Sequence, residues 1–191
     1  MLLNILILLL VFSSAGWAES PALLAQKAKP SPEDVVRRLY DIHLKHDKEE
    51  KGKGYPETVA QAASCFTPGF LGIIERAEKR PPNGPNHIDI DFLVNSQSGW
   101  GGFEVGKATV TGKDAVVPLE IWGGFRSTKH KDPETLRRAK VYLTDVGDGD
   151  GFQIRDIEFV AAPFTNYEGK VLTQPAFWVR KYLTEIADAK P

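Results

Sequence analysis

His87, Asp89 and Asp91 alternate along His87-Ile88-Asp89-Ile90-Asp91, so an extended backbone would place all three side chains on one side. An imidazole beside two carboxylates is a donor set for a divalent ion, or a general base with its orienting acid. A loop edge whose polar residues face water accounts for the same pattern. These three are the candidates for catalysis. His43 and His46, three apart on a helix, could share a metal, but no acidic or cysteine partner is evident nearby and they read as exposed or edge histidines. Asp145, Asp148 and Asp150 fail the calcium-loop template, because the first ligand would be Val146 and the twelfth Ile157; a glycine-rich hairpin turn is expected there. No metal site and no cofactor are expected. The sequence has no Ser or Cys nucleophile motif, phosphate-gripping glycine loop or CxxC pair.

Binding groups are drawn from aromatics and charge. Trp100 and Phe103 flank Gly101-Gly102, and Trp122 and Phe125 flank Gly123-Gly124. Core packing is the ordinary reading of these rings, and the functional one is an exposed platform, since large rings beside paired glycines can form one. Lys129-His130-Lys131, Arg137-Arg138 and Lys140 form a local basic patch, either a solvated loop or a seat for an acidic partner. Trp100, Trp122 and Lys131 are the binding candidates from these groups.

The elements that must position them follow from periodicity. Ser31 can cap a helix whose first position suits Pro32, with Glu33 and Asp34 complementing the dipole. Val35, Val36, Leu39, Tyr40, Ile42 and His43 give its apolar face, and it is expected to run to about Lys48. Helical character resumes over Thr58–Phe66 and again after Thr67-Pro68, with Phe70, Leu71, Ile73, Ile74 and Ala77 as the buried stripe. After Pro81-Pro82-Asn83-Gly84-Pro85 the period becomes two residues, and about four strands are expected: Phe103–Thr111, Ala115–Trp122, a strand around Val141 and Leu143, and Phe152–Val160. In the last, Phe152 and Ile154 share one face while Ile157 and Phe159 share the other, which predicts a bulge near Arg155-Asp156. A final helix is expected from about Pro175, with Thr173 as cap and Val179, Leu183 and Ile186 as its seam. The fold class is therefore α+β, with N-terminal helices on one face of a curved antiparallel sheet and a closing C-terminal helix.

Met1–Ala18 has the form of an export signal: the run Leu2–Phe12 is apolar except for Asn4, and small residues precede a cleavage point after Ala18. The run is shorter than the roughly 20 residues that cross a bilayer, so no integral membrane segment is expected after cleavage. Residues 19–30 read as a tether and 31–191 as a single domain, in a periplasmic or secreted protein. The net charge of −1, balanced between 24 basic and 25 acidic residues, argues against nucleic acid. The single cysteine, Cys65, cannot form an internal disulfide and reads as a small buried hydrophobe.

Ser31-Pro32-Glu33-Asp34-Val35-Val36-Arg37-Arg38-Leu39-Tyr40, followed by Cys65-Phe66-Thr67-Pro68-Gly69-Phe70-Leu71, resembles the opening of an exported bacterial family named domain of unknown function 3828. Its members tend to carry an Asp-Phe run and an Asn-x-Gln element, similar to Asp91-Phe92-Leu93-Val94-Asn95-Ser96-Gln97 here, so Asp91 and Gln97 join the binding candidates. Where that family often has an acidic residue after the Gln, this chain has Ser98-Gly99-Trp100. The resemblance implies a cone-shaped fold similar to nuclear transport factor two and brings no established reaction. The expected function is a noncatalytic exported domain that binds an envelope protein partner or a small apolar ligand. The alternative is a small-molecule enzyme or ligand carrier using the cone cavity, with His87, Asp89 and Asp91 moving protons or holding a metal.

Overall fold

The first helix, α1 (Pro32–Glu49), opens on a reciprocal cap. Ser31 Oγ accepts the Asp34 N–H at 3.1 Å, while the Asp34 carboxylate accepts the Ser31 N–H at 3.1 Å and its hydroxyl at 2.8 Å. In this computed structural model residues 29–49, 54–81, 87–96, 100–123, 135–147, 150–165 and 170–189 are described. The expected export signal, most of the expected tether, Gln97, Phe125 and Lys131 lie outside them. Among the described residues no helix is long and apolar enough to cross a membrane.

The helical stretch expected over Thr58–Phe66 is α2 (Tyr55–Gln61) followed by a single 3-10 turn, Ala63–Cys65. It stops there because Phe66 bridges to Ile154 in the sheet and the Thr67 N–H donates to the Ile154 carbonyl at 2.9 Å. Thr67 then caps α3 (Pro68–Glu78), its Oγ1 accepting the Phe70 N–H at 3.3 Å.

The sheet comprises β1 (Gly102–Val105), β2 (Thr109–Thr111), β3 (Asp114–Trp122), β4 (Arg137–Asp145), β5 (Phe152–Phe159) and β8 (Phe177–Trp178), all antiparallel, in the order β1-β3-β4-β5-β8 with β2 also on β3. A separate hairpin pairs β6 (Ala162–Thr165) with β7 (Val171–Gln174). The expected strand Phe103–Thr111 is two pieces, because Val105 faces Leu119 while Thr109 faces Val116, which leaves one extra residue on the edge side. On β5 the bulge falls where the apolar phase slips: Tyr142 pairs with Asp156 and Leu143 with Ile154, so Arg155 is the extra residue. That single insertion turns Ile154, Ile157 and Phe159 onto the same buried face.

The last helix, α4 (Val179–Asp188), starts later than Pro175 because Phe177-Trp178 first extend the sheet beside β5, and Thr173 sits in β7 rather than at a cap. Its seam is Val179, Leu183 and Ile186, all buried. Val117, Leu119 and Ile121 of β3 and Ala139, Val141 and Leu143 of β4 join the helix stripes in one core. The opposite face carries in-register charge pairs, Arg138 with Glu120 at 3.1 Å and Lys140 with Glu158 at 3.6 Å. Cys65 is buried in the core, which pushes its thiol pKa up.

Candidate functional site

The segment carrying His87, Asp89 and Asp91 is not an extended strand, and its carboxylates take different partners. Asp89 is exposed and accepts the Tyr182 hydroxyl at 2.8 Å; burial, then the bond to Asp89, holds that phenol up at about 12. Asp91 opens a tight loop closed by two backbone bonds to Ser96, and its Oδ1 accepts the Leu93 N–H at 3.0 Å. Asn95 turns the loop at φ 50°, in the left-handed region that Asn tolerates. Phe92, Leu93 and Val94 between them are wholly buried, so the loop is drawn into the core and Asp91 is carried toward α1. The expected alternation of three chemical groups along one side therefore gives way to separate structural contacts. Among the described residues no group of three or more His, Cys, Asp or Glu side chains could hold a metal.

The histidines of α1 are buried, not exposed: His43 is 1% and His46 5% accessible. Both continue the stripe of Val36, Leu39 and Tyr40, and both point Nδ1 at one hydroxyl, Thr58 Oγ1, at 3.0 Å each. An acidic partner is also present, contrary to the expectation. Asp91 Oδ2 lies 2.9 Å from His43 Nε2, at ion-pair distance but off the axis of an aligned hydrogen bond. Two proton arrangements satisfy the Thr58 hydroxyl. With the Thr58 hydroxyl turned to the Gly54 carbonyl at 3.1 Å, both rings donate from Nδ1. With the hydroxyl turned to His43 Nδ1, only His46 donates to Thr58.

Trp100, a candidate for an exposed platform or for core packing, is buried and seals this cluster. It is 2% accessible, stacks on the His43 ring at 5.1 Å between centroids, and meets the Tyr40 ring edge-on at 6.1 Å. Tyr40 is wholly buried and donates its hydroxyl to the Leu93 carbonyl at 2.7 Å, tying α1 to the loop a second time. Burial raises its pKa far above the ordinary phenol value. Trp122 is half-buried and lies over Gly102, where a Cβ would stand only 2.7 Å from the ring, so its glycine partner is needed for packing. The cluster is enclosed, and its chemistry is to fix the loop.

The far end of that loop borders an open cleft of about 210 Å³, lined among others by Asn95, Thr135, Arg137, Arg138 and Gln174. Arg137 is half-buried at the start of β4, in phase with the inward residues Ala139, Val141 and Leu143. Its Nη1 donates to the Gly123 carbonyl at 3.2 Å and its Nη2 reaches Ser96 Oγ at 3.4 Å. Burial lowers the pKa of this guanidinium. Gly123 adopts φ 104°, and a Cβ there would collide with the Gly101 backbone, so only glycine lets this turn donate its N–H to Thr135 Oγ1 (3.1 Å) and accept from Arg137. Among the described residues, no Asp or Glu lines the cleft. A second concavity, beside Cys65, mixes Lys29 and Arg38 with Asp34 and Asp150 and has no single sign.

Comparison with family models, curated proteins and solved structures finds no match to this chain.

Sequence reasoning missed both gatherings. The signal for the histidines was their phase on the apolar stripe of α1, and the signal for Arg137 was its phase on β4.

Proposed function

We propose that this chain is a noncatalytic exported binding domain, and that its ligand seat is the cleft between the Asp91–Ser96 loop, the start of β4 and the end of β7. The observation that carries this reading is the convergence of polar groups from separate segments, Asn95, Thr135, Arg137 and Gln174, on one open concavity. Its lining favours a polar ligand, or a polar segment of an envelope partner, over the small apolar molecule that a cone interior would hold. The apolar run of Met1–Ala18 supports the exported setting. A place in the exported family named domain of unknown function 3828, with a cone fold similar to nuclear transport factor two, belongs to the same proposal; the bulged sheet with helices packed on one face supports it.

The enzyme alternative draws less support, since Asp89 is engaged by Tyr182 and Asp91 by His43 and its own loop. The test is amide chemical-shift mapping of the chain from Glu19 onward against a set of small polar and charged molecules. Saturable shifts centred on Asn95, Arg137 and Gln174 are expected. Shifts centred elsewhere, or a turnover abolished by changing Asp89 or His87 alone, overturn the reading.

A further inference from the structure

We infer that the cleft is a carboxylate seat, with Arg137 as the group that recognises the anion; this rests on the binding reading above and names its ligand class. Of the guanidinium's five N–H donors, two are directed at neutral oxygens, and the bond to Ser96 Oγ is long. The other basic residues of the same strand are neutralised: Arg138 by Glu120 at 3.1 Å and Lys140 by Glu158 at 3.6 Å. Arg137 has no carboxylate partner among the described residues, although it is the most buried of the three. A half-buried cation without a counter-charge loses hydration and gains little in return. A planar two-oxygen anion would supply what is missing, because the fork of a guanidinium matches a carboxylate in two parallel hydrogen bonds.

The surroundings fit that occupant. Asn95 and Gln174 bring amide groups to the cleft, and the Gly123 carbonyl and Ser96 hydroxyl accept from the guanidinium. Among the described lining residues none is acidic, so none of them competes for the cation. A volume of about 210 Å³ suits a small carboxylic acid or the terminal residue of a peptide. Both present the same chemistry.

The probes are N-acetylglycine, its neutral analogue N-acetylglycinamide, and an N-acetylated tripeptide with a free C-terminus, each titrated at constant ionic strength and followed by amide and Arg Nε–H chemical shifts. N-acetylglycine is expected to shift Asn95, Ser96, Gly123, Arg137 and Gln174, and N-acetylglycinamide to bind at least tenfold more weakly. A tripeptide that binds tighter than N-acetylglycine assigns the seat to peptide C-termini, and equal affinity assigns it to free acids. Arg137→Gln is expected to lose at least tenfold in affinity and Arg137→Lys less. Asn95→Gly keeps the left-handed backbone and is expected to lose a few-fold, which tests the seat even if an Arg137 variant does not fold. Equal binding of the acid and the amide at these residues overturns the carboxylate assignment while leaving the cleft as a binding site. Shifts confined to other surfaces overturn both.

Discussion

Asp91 and His43 meet at 2.9 Å across the junction of α1 with the Asp91–Ser96 loop, and the same loop delivers Asn95 and Ser96 to Arg137. This contact links α1 to one wall of the cleft. The Tyr40 hydroxyl on the Leu93 carbonyl is the second tie. Loosening either is expected to move the rim through the backbone.

Thr58→Val keeps the shape of the side chain but removes the hydroxyl that both histidines share. Leaving two buried Nδ1 groups without a partner is expected to cost about 2–4 kcal/mol in urea unfolding, whereas Thr58→Ser costs under about 1 kcal/mol. Near-equal stability of the Val variant and the parent would mean that the histidines do not depend on Thr58.

Ser31→Ala is expected to cost about 1 kcal/mol by removing the cap of α1. Asp34 adds a pH dependence: the Ser31 side chain and then its backbone N–H hold the Asp34 carboxyl below its ordinary value. A lowered folded pKa stabilises above the unfolded value of about 3.9 and the effect fades as pH falls through the folded one. Asp34→Asn is thus less stable than the parent at pH 6, with the gap closing toward pH 3.

Asp156 has the opposite sign. Burial at the β5 bulge raises its pKa, against the lowering effect of the Arg180 and Ile157 N–H groups that it accepts. Its contribution is complete below about 3.9, the unfolded value, and is lost as pH rises through the folded one. Asp156→Asn should gain on the parent between pH 4 and pH 7 in denaturant melts. A gap that moves the other way would place the carboxylate in a charge-stabilising site.

Leu39, Phe70, Leu119 and Leu183 come from α1, α3, β3 and α4 and are all essentially inaccessible in one core. Each change to Ala is expected to cost about 2–5 kcal/mol. Losses below about 1 kcal/mol at all four would mean that the core does not act as one unit.

The apolar faces of α1, α3 and α4 and of β3 to β5 were legible because each is written in local periodicity, and even the bulge at Arg155 shows as a phase slip between Ile154 and Ile157. The helix–sheet arrangement follows from hiding those faces. The sites were less legible because their partners are remote. His43 and His46 carry their burial in helical phase, but nothing near them in sequence announces Thr58 or Asp91. Trp100 was open to two readings beside its glycines; the vacancy over the His43 ring decided for burial, and that vacancy exists only after α1 meets the sheet. Strands as short as Phe177-Trp178 hold too few residues for a period to show, so the start of α4 was placed too early.

The broken edge strand has a consequence for how copies of the chain behave in a crowded compartment. A long unpaired edge would offer a row of N–H and C=O groups to any neighbouring chain and invite runaway sheet growth. Here the outer edge of β3 is covered by pieces of only four and three residues, and between them the Ala108 N–H is already taken by Glu33 of α1 at 2.8 Å. At the other side β5 is covered by Phe66 at Ile154, by the Arg180 guanidinium at the Arg155 carbonyl and by Phe177-Trp178 at Glu158-Phe159. A protein with one cysteine and no disulfide is thus guarded against fibril-like self-association by interruption, not by crosslinks.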